Sequence, residues 1–466
     1  MMEDCGSVNR REFCVQALAG ASAVCAGNLY GEDASEKQRR FRAGAAETIV
    51  TPKAEGTFLI GPMKPSTGVH DDLFARILLL DDGAKQAAIV TLDYLGFDVA
   101  YNDLLLAAVA EATEIPAGHV MINCSHNHSA PLTVPWGPRE KKKDRPFHKV
   151  LPRKLAEIAR QARATMKPAR VRYARQPVQI GFNRRLPSGE RIVMAPNPHG
   201  AVLPWVDVVS LEDQHAKRIA VLFSHAAHPV IVHGSSTLIT ADYPGFAVNE
   251  LRSARGKEGI FMFAQGCGGN INGFPLRGGI DAAAAAGRDL GNAVGRALDA
   301  KTEPISPSAL KTHWQQVTLP LQDPPSVAEC QELIAKEKSA ERKARLEELL
   351  VVAQSGKQRT IRLDIRGFAV GRQLCILALS HEPFVEYQHF VERVSPFPHN
   401  MVLAYTNGLE SYIGTENDYR LGERGGYETS PWGAAFMMEN CLPLAPQCER
   451  LIQAGIAEAL KQLHSR

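Results

Sequence analysis

Residues 122–131 read INCSHNHSAP and place two histidines, His126 and His128, between an apolar run and a proline. The run at 119–122 leads into small polar residues, which is typical of a buried strand that ends in a loop. Side chains two positions apart in an extended segment point the same way, so both imidazoles could face one cavity. Imidazole is a common metal ligand, but an isolated pair is more often a loop feature bonded to backbone. The stretch therefore predicts a strand end and raises a metal site as a hypothesis.

Length and composition restrict the class of protein. A chain of 466 residues can bury a large core, and 45% hydrophobic with 22% charged residues is ordinary for a globular protein. The formal charge of +3 is far from the basic character of a nucleic-acid binder. We therefore expect a small-molecule or lipid-like partner and no nucleic acid.

The first 30 residues differ in composition from the rest of the chain. Arg10 and Arg11 precede the small, apolar stretch 14–26, a pattern that resembles a twin-arginine export signal. The alternative is a cytosolic tail. Residues 1–30 are therefore predicted to be an export signal, and the protein to be periplasmic or secreted. Lipidation at Cys25 is a further option, although Val24 before it is larger than such sites prefer.

Apolar segments and cysteines set two further expectations. No later apolar segment is long enough to cross a bilayer, so any membrane contact would be peripheral. No CxxC motif occurs, which argues against a zinc–cysteine module. Cys441 and Cys448 flank a proline-containing segment and are close enough in sequence to suggest a local disulfide.

Apolar runs and helical periodicity alternate along the chain, interrupted by hairpins at 76–92 and 206–223. Further strands are predicted before His126 and at 170–178, 260–264, 360–370, 373–379 and 401–405, and helices at 104–112, 151–166, 243–254, 281–298, 327–353 (a helix or helical pair), 383–394 and 447–463. The hairpins favour an α/β fold of mixed β-sheets flanked by helices over a regular strand–helix barrel. No internal repeat is visible in the sequence.

Several other strands also end at polar residues. The segments after them supply His228, Glu382, Tyr412 and the glycine-rich stretch 265–273. Loops at strand ends are where α/β folds build their sites. Each feature also has a structural interpretation, because Glu382 could cap a helix, Tyr412 could be packed and the glycines could simply turn the chain. The residues alone leave both interpretations open.

The combination and order of these motifs resemble the neutral ceramidase family, whose amidase domain carries a histidine motif of the form THTHSGP. SHNHSAP at 125–131 keeps both histidines, the serine and the proline. The resemblance continues through Asn183-Arg184, through 228–230, 242–247 and 412–416, and covers most of the chain from about residue 42. It implies that residues 42–466 form a single catalytic domain with the fold of that family's N-terminal domain.

The resemblance also implies a zinc site. In that family one Zn²⁺ is held by two histidines, a glutamate and a tyrosine, which fall by motif on His126, His228, Glu382 and Tyr412. Nitrogen and oxygen ligands suit zinc, and an open position would admit a water whose pKa falls to about 7 on the metal.

Catalytic roles follow from the same match. His128 would face the cavity beside the ligands, and Arg184 and Tyr427 would donate hydrogen bonds to a developing oxyanion. His128 or a carboxylate such as Asp242 could move the proton.

One motif departs from the family pattern. Family ceramidases have a GDxSPN-type loop whose serine is usually assigned as the nucleophile, whereas Asn270 and Asn272 replace the aspartate and the serine here. An amide cannot be activated as a nucleophile in that way. We therefore expect water activated by the metal to attack directly, while Asn272 positions the substrate or donates to the oxyanion.

The sequence thus predicts an exported, zinc-dependent hydrolase that cleaves an amide bond of an N-acylated, ceramide-like lipid. Two alternatives remain open. The same metal site could hydrolyse an ester or a carbohydrate-derived substrate, or the protein could be a non-catalytic exported binding protein that kept the fold.

Overall fold

The computed structural model describes residues 41–134, 147–256, 258–306 and 309–465. Residues Arg40–Arg466 form a single structural body. The predicted export signal at 1–30 lies outside the described residues, so the division into signal and single catalytic domain stays a prediction. Among the residues described, none of the helices has the length and apolar character needed to cross a membrane.

Most strands belong to three main sheets, and the remainder form short ladders between them. In chain order the strands are β1 Arg42–Ile49, β2 Phe74–Asp81, β3 Gln86–Leu92, β4 Val120–Cys124, β5 Arg170–Pro177, β6 Gly181–Asn183, β7 Arg185–Ser188, β8 Arg191–Met194, β9 Trp205–Glu212, β10 Arg218–His225, β11 Ile260–Gln265, β12 Ile271–Gly273, β13 Leu310–Pro320, β14 Thr360–Val370, β15 Leu374–Leu379, β16 Glu382–Pro383, β17 His399–Leu403 and β18 Tyr412–Ile413, besides two-residue strands at Phe58–Leu59, Lys64–Pro65, Gly68–Val69, Lys167–Pro168 and Leu238–Ile239.

The helices cover the outer faces of the sheets. They are α1 Val99–Thr113, α2 Phe147–Ala164, α3 Asp242–Arg255, α4 Ile280–Asp299, α5 Val327–Lys336, α6 Ala340–Ser355, α7 Val385–Val394, α8 Glu416–Arg420, α9 Gly426–Thr429, α10 Ala434–Met437 and α11 Cys448–His464.

The three main sheets share one topology. Their strand orders are β1-β2-β3-β4, extended at the β1 edge by Lys167–Pro168, then β5-β9-β10-β11, then β13-β14-β15-β17. In each sheet the first three strands are antiparallel and the fourth is parallel to the third. A helix (α1, α3 or α7) joins the third strand to the fourth, and another (α2, α4 or α11) follows later in the chain. The chain therefore builds the same βββαβα arrangement three times, as unit 1 (42–164), unit 2 (170–299) and unit 3 (310–464).

Each sheet has one face in a core that all three units share. Met121, Met262 and Met401, from the fourth strands of the three sheets, are all fully buried in this core. Successive residues of a strand point to opposite faces, and in β2 Leu78 belongs to the shared core while Ile77 packs in the cluster formed with α1 and α2. Because both faces are buried, these strands are nearly continuous apolar runs.

The predicted fold class is confirmed, with mixed sheets flanked by helices. Residues 327–353 form a helical pair, α5 and α6, as one of the two predicted options. The disulfide suggested by the sequence is not formed, because Cys441 and Cys448 are not bonded to each other. Cys448 Sγ instead donates to the carbonyl of Pro320, at 3.2 Å.

One buried amide joins the three units at the carboxyl ends of their fourth strands. Asn123 in β4 donates through Nδ2 to the carbonyls of Ala404 (2.6 Å) and Gln265 (3.2 Å), and its Oδ1 accepts from the backbone N–H of Gln265 (2.8 Å). Gln265 ends β11 and Ala404 follows β17. Asn123 therefore connects units 1, 2 and 3 within one hydrogen-bonded cluster.

We predict that Asn123→Ala lowers the free energy of unfolding by about 3 kcal/mol, since it leaves the buried N–H of Gln265 without an acceptor and removes one donor from each of the Gln265 and Ala404 carbonyls. Urea unfolding at pH 7 would measure this loss. Asn102, buried in α1 with an unpartnered Nδ2, provides the matched control, and Asn102→Ala should cost less than about 1 kcal/mol. Equal losses in the two variants would contradict the role of Asn123 in connecting the three units.

Candidate metal centre

One donor side chain from each unit reaches a common point at this end of the sheets. His126 lies just after β4 of unit 1, His228 just after β10 of unit 2, and Glu382 just after β15 of unit 3. Glu382 Oε2 is 3.3 Å from His126 Nε2 and 3.2 Å from His228 Nε2. All three side chains are buried. The shared topology thus brings together residues that are far apart in sequence.

Hydrogen bonds fix the tautomers of both histidines. Nδ1 of His126 lies 2.8 Å from the carbonyl of Leu95, and Nδ1 of His228 lies 2.7 Å from that of Gly268. A carbonyl only accepts, so each Nδ1 carries a proton, and the neutral form of each ring has its lone pair at Nε2. Burial, reinforced by the Arg184 charge, lowers the pKa of His228 to about 3, which keeps that ring neutral.

Three lone-pair atoms therefore face one another. Burial raises the pKa of Glu382, but the positive charge that His126 carries when protonated outweighs burial and holds the pKa below its usual range, so the carboxylate is ionised. His228 Nε2 and Glu382 Oε2 have no hydrogen-bond partner among the described residues. The separations exceed the 2.7–2.9 Å or so of a charge-assisted hydrogen bond. A proton shared among these atoms does not account for the geometry.

The donor set fits a divalent metal ion. Two ligands each about 2.05 Å from a zinc ion at a tetrahedral angle are about 3.3 Å apart, close to the separations here. Neutral imidazole nitrogens with a carboxylate oxygen are typical zinc ligands. The ring nitrogens of His126, His128 and His228 lie within 4.8 Å of one another and could hold a metal ion.

His128 lies beside this group, as the sequence predicted. Its ring centroid is 5.0 Å from that of His126 and 5.7 Å from that of His228, and its Nε2 is buried without a partner. Burial, followed by the charge of the neighbouring histidines, lowers its pKa well below the usual value, so the ring is neutral at pH 7. Its free lone pair could bind a metal or accept a proton.

Tyr412 reaches the same region through the backbone. It pairs with Glu382 in the short parallel ladder of β16 and β18, and its buried hydroxyl accepts a hydrogen bond from Arg184 Nη2 at 3.1 Å. Burial and the Glu382 charge raise the pKa of Tyr412 well above the usual value, so the phenol is protonated in the absence of a cation.

Arg184 is the buried cation of the site. Nε donates to Glu428 (2.7 Å), Nη1 to Asn272 Oδ1 (2.8 Å), and Nη2 to the Gly269 carbonyl (2.8 Å) as well as to Tyr412. Its guanidinium carbon is 5.9 Å from the ring of Tyr427. The predicted residues Arg184, Tyr427, Asn272 and Tyr412 therefore form one contiguous group.

Asn270 and Asn272, in the glycine-rich segment, have different tasks. Asn272 is tied to Arg184, and its Nδ2 has no described acceptor. Asn270 anchors the glycine-rich segment to the start of α7, since its Oδ1 accepts from the Val385 N–H (2.9 Å) and its Nδ2 donates to Glu386 (2.9 Å). Asn272 therefore belongs to the group around Arg184, whereas Asn270 fixes the glycine-rich segment to α7.

Asp242 is bonded away from the histidines. Its two oxygens accept from the backbone N–H groups of Val232 (2.9 Å) and Tyr243 (2.6 Å), and burial raises its pKa to about 6. Within the described residues no hydrogen bond or ion pair links Asp242 to the histidine group. It shapes the segment after His228, and its role in proton transfer stays a prediction.

Sequence reasoning missed two residues of the site. The Tyr405 ring stacks on His126 at 4.3 Å, and its fully buried hydroxyl has no partner among the described residues. The His233 ring stacks on His128 at 5.2 Å. Tyr405 follows the apolar run of β17, so the rule used for the other strands, a polar residue just after a strand, would have found it. His233 lies in an ordinary turn and carries no such signal.

The chain is similar in structure to solved ceramidases. No family model and no curated protein matches it. Among solved structures, a neutral ceramidase from Pseudomonas aeruginosa superposes with a TM-score of 0.68 and 18% identity, over 92% of this chain and 75% of that one. The chain has the neutral ceramidase fold. A ceramidase complexed with C2 gives the same TM-score at 17% identity, over 92% of this chain and 76% of its own. The motif-based resemblance to neutral ceramidases is thus confirmed for the fold.

We predict about one zinc ion per chain in the purified protein, and its loss in His126→Ala and Glu382→Gln, because each change removes one of the converging lone pairs. Elemental mass spectrometry after equilibrium dialysis would measure it. His225→Gln is the matched control, since both ring nitrogens of this buried histidine are bonded to backbone groups of Trp205 and Ile180. A folded wild type that neither holds nor takes up metal would exclude the centre.

Proposed function

We propose that the protein is an exported, zinc-dependent hydrolase that cleaves the amide bond of an N-acylated lipid of the ceramide class. The observation that supports this most is the convergence of His126, His228 and Glu382, one from each unit, in a fold shared with neutral ceramidases. The substrate class is taken from those neighbours.

The chain supplies a metal site of the type that hydrolases use. His126, His228 and Glu382, together with Tyr412, would hold the ion. A bound zinc supplies a Lewis acid that polarises a carbonyl and lowers the pKa of a water to about 7. The carbonyls of Leu95 and Gly268 orient the two rings by accepting their Nδ1 protons, which keeps both Nε2 lone pairs directed to the same point.

His128 is the residue best placed to move the proton. It is neutral, and its buried Nε2 is bonded to no described group. In the proposed reaction His128 accepts the proton of the attacking water while the new C–O bond forms, and it then gives that proton to the amide nitrogen as the C–N bond breaks. The products are a carboxylic acid and an amine, so atoms and charges balance.

Arg184 and Asn272 would stabilise the oxyanion. Arg184 commits four of its five N–H groups to Glu428, Asn272, Gly269 and Tyr412, which leaves one on Nη1. Asn272 Oδ1 accepts from this same Nη1, and the Nδ2 of Asn272, with no described acceptor, would be the second donor. Two pre-oriented donors of this kind can receive a developing negative charge without reorganisation. The Tyr427 ring lies 5.9 Å from the guanidinium carbon, and its hydroxyl would be a further donor.

We predict that His128→Gln lowers kcat about 100-fold and leaves zinc content unchanged. Metal-loaded protein would be assayed on a ceramide, on the ester analogue of the same acyl chain and on an N-acylated sugar, with His199→Ala as an exposed-histidine control. Turnover of the ester or the sugar alone would replace the amide-lipid proposal. Metal binding without turnover of any substrate would favour a binding protein.

Export is part of the proposal and is supported by the Arg10-Arg11 pair ahead of an apolar stretch. We expect residues 1–30 to carry a fused reporter into the periplasm, and the lysine variant at both arginines to leave it in the cytoplasm. Cytoplasmic location of the unmodified fusion would contradict this part.

A further inference from the structure

The loop after β12 exposes large apolar side chains beside the candidate metal centre. Phe274 and Leu276 are 58% and 37% exposed, in a loop that begins just past Asn272. The Phe274 ring packs edge-on against Phe182 at 5.6 Å. Isolated apolar side chains on a surface are ordinary, but clustered aromatic and aliphatic ones usually mark a contact surface.

Phe274 borders a groove of about 620 Å³. Phe182 and Pro196 line it from the segments around β6 and β8, and Phe274 and Pro275 line it from the loop. Alanines of α4 form much of the remaining lining. The end of β8, leading into Pro196, exposes Met194 as well. The apolar area is therefore continuous across two chain segments.

This surface is linked directly to the site. Phe182 pairs with Asn272 across the short β6–β12 ladder. The backbone N–H groups of Arg277 and Gly279 donate to the carbonyls of Val230 and Ile231, both at 3.1 Å, so the loop packs on the segment that follows His228.

A second loop adds to the apolar surroundings of the histidines. The backbone N–H of Gly61 donates to the carbonyl of His128 at 2.8 Å, and Gly61 also lies against His233. The same loop exposes Met63. Exposed apolar side chains thus belong to both loops that pack on the histidine group.

The positive charge of Arg277, next to Phe274 and Leu276, indicates which kind of partner this surface fits. Arg277 is exposed, and its guanidinium has no hydrogen bond or ion pair with a described residue. The nearest acidic positions in sequence are Asp281 and Asp289 on α4, of which Asp289 lines the groove. Apolar side chains beside an unpaired cation suit a bilayer surface. There the apolar side chains enter the boundary between headgroups and acyl chains, and the cation binds lipid phosphate. A symmetric contact between two copies would instead bring two Arg277 guanidinium groups into one interface.

We propose that Phe274 and Leu276, with Arg277 beside them, dock the protein on a lipid bilayer, which brings the candidate metal centre next to membrane-embedded substrate. Access to a membrane-embedded substrate rests on the proposed function. Binding to the bilayer does not depend on that function.

Sedimentation with phosphatidylcholine vesicles, with and without phosphatidylglycerol, tests the surface on the intact metal-loaded protein. We expect the wild type to bind, and the double variant Phe274→Ser/Leu276→Ser to partition about tenfold less. Leu104→Ser/Val351→Ser is the matched control, because these side chains are 61% and 65% exposed on α1 and α6, and it should bind as the wild type does. Arg277→Gln should weaken binding most on the anionic vesicles and at low salt.

Kinetics and solution mass separate this proposal from the proposed function. The Phe274/Leu276 double variant should keep kcat/KM on a water-soluble short-chain amide and lose about tenfold on the vesicle-embedded substrate. A wild type that does not sediment, or a double variant that sediments equally well, overturns the docking surface, and hydrolysis of the soluble amide would still stand. Vesicle binding through this surface with no hydrolysis of either substrate would support the surface and end the proposed function. A dimer in solution that the double variant abolishes, with no vesicle binding, would make the surface a self-association interface and overturn the proposal.

Discussion

The hydrogen bonds of Asn123 hold the three sheets in the relation on which the site depends. Through this one side chain, the end of β4 is bonded to the ends of β11 and β17 in the buried interior. Buried polar groups must be paired, so the amide can be satisfied only when all three strand ends meet. His126 follows β4 directly, and His228 and Glu382 follow the neighbouring third strands. A donor spacing of 3.2–3.3 Å is therefore a consequence of how the units join.

The repeated βββαβα arrangement shows how one framework supplies different chemical groups. Just after the fourth strand lies His126 in unit 1 and Tyr405 in unit 3, and both have left-handed backbone, with φ of 63° and 49°. Their rings stack on each other. Just after the third strand, units 2 and 3 provide His228 and Glu382, whereas unit 1 provides the Leu95 carbonyl that orients His126. Equivalent positions thus carry a ligand in one unit and its support in another, as expected where side chains gather at the carboxyl ends of strands.

Sequence reasoning was strongest where local pattern and chemistry coincide. Runs such as 120–124 are apolar because both faces of their sheets are buried, so strand ends, and with them His126, His228 and Glu382, could be located. The threefold arrangement was invisible because topology, not residue identity, is what repeats. Asn123 reads as an ordinary polar residue before a loop, and its partners lie more than 140 positions away. The Cys441–Cys448 expectation failed for a related reason, since proximity in sequence does not determine which way buried side chains point.

Asn270 and Asn272, in the glycine-rich segment, fit the hydrogen-bond partners around them. An aspartate at position 270 could not donate to Glu386, and the two carboxylates would repel in a buried setting, whereas the amide of Asn270 satisfies both Glu386 and the N–H of Val385. A serine at 272 would be shorter than the amide that accepts from Arg184 at 2.8 Å. Both polar atoms of the Asn270 amide are hydrogen-bonded, and Asn272 Oδ1 accepts from Arg184, so both amides take part in the hydrogen bonding of this loop. Position 272 carries an amide, and the one thiol of this loop, Cys267, is buried with its pKa raised by burial, so the proposed reaction relies on direct attack by water.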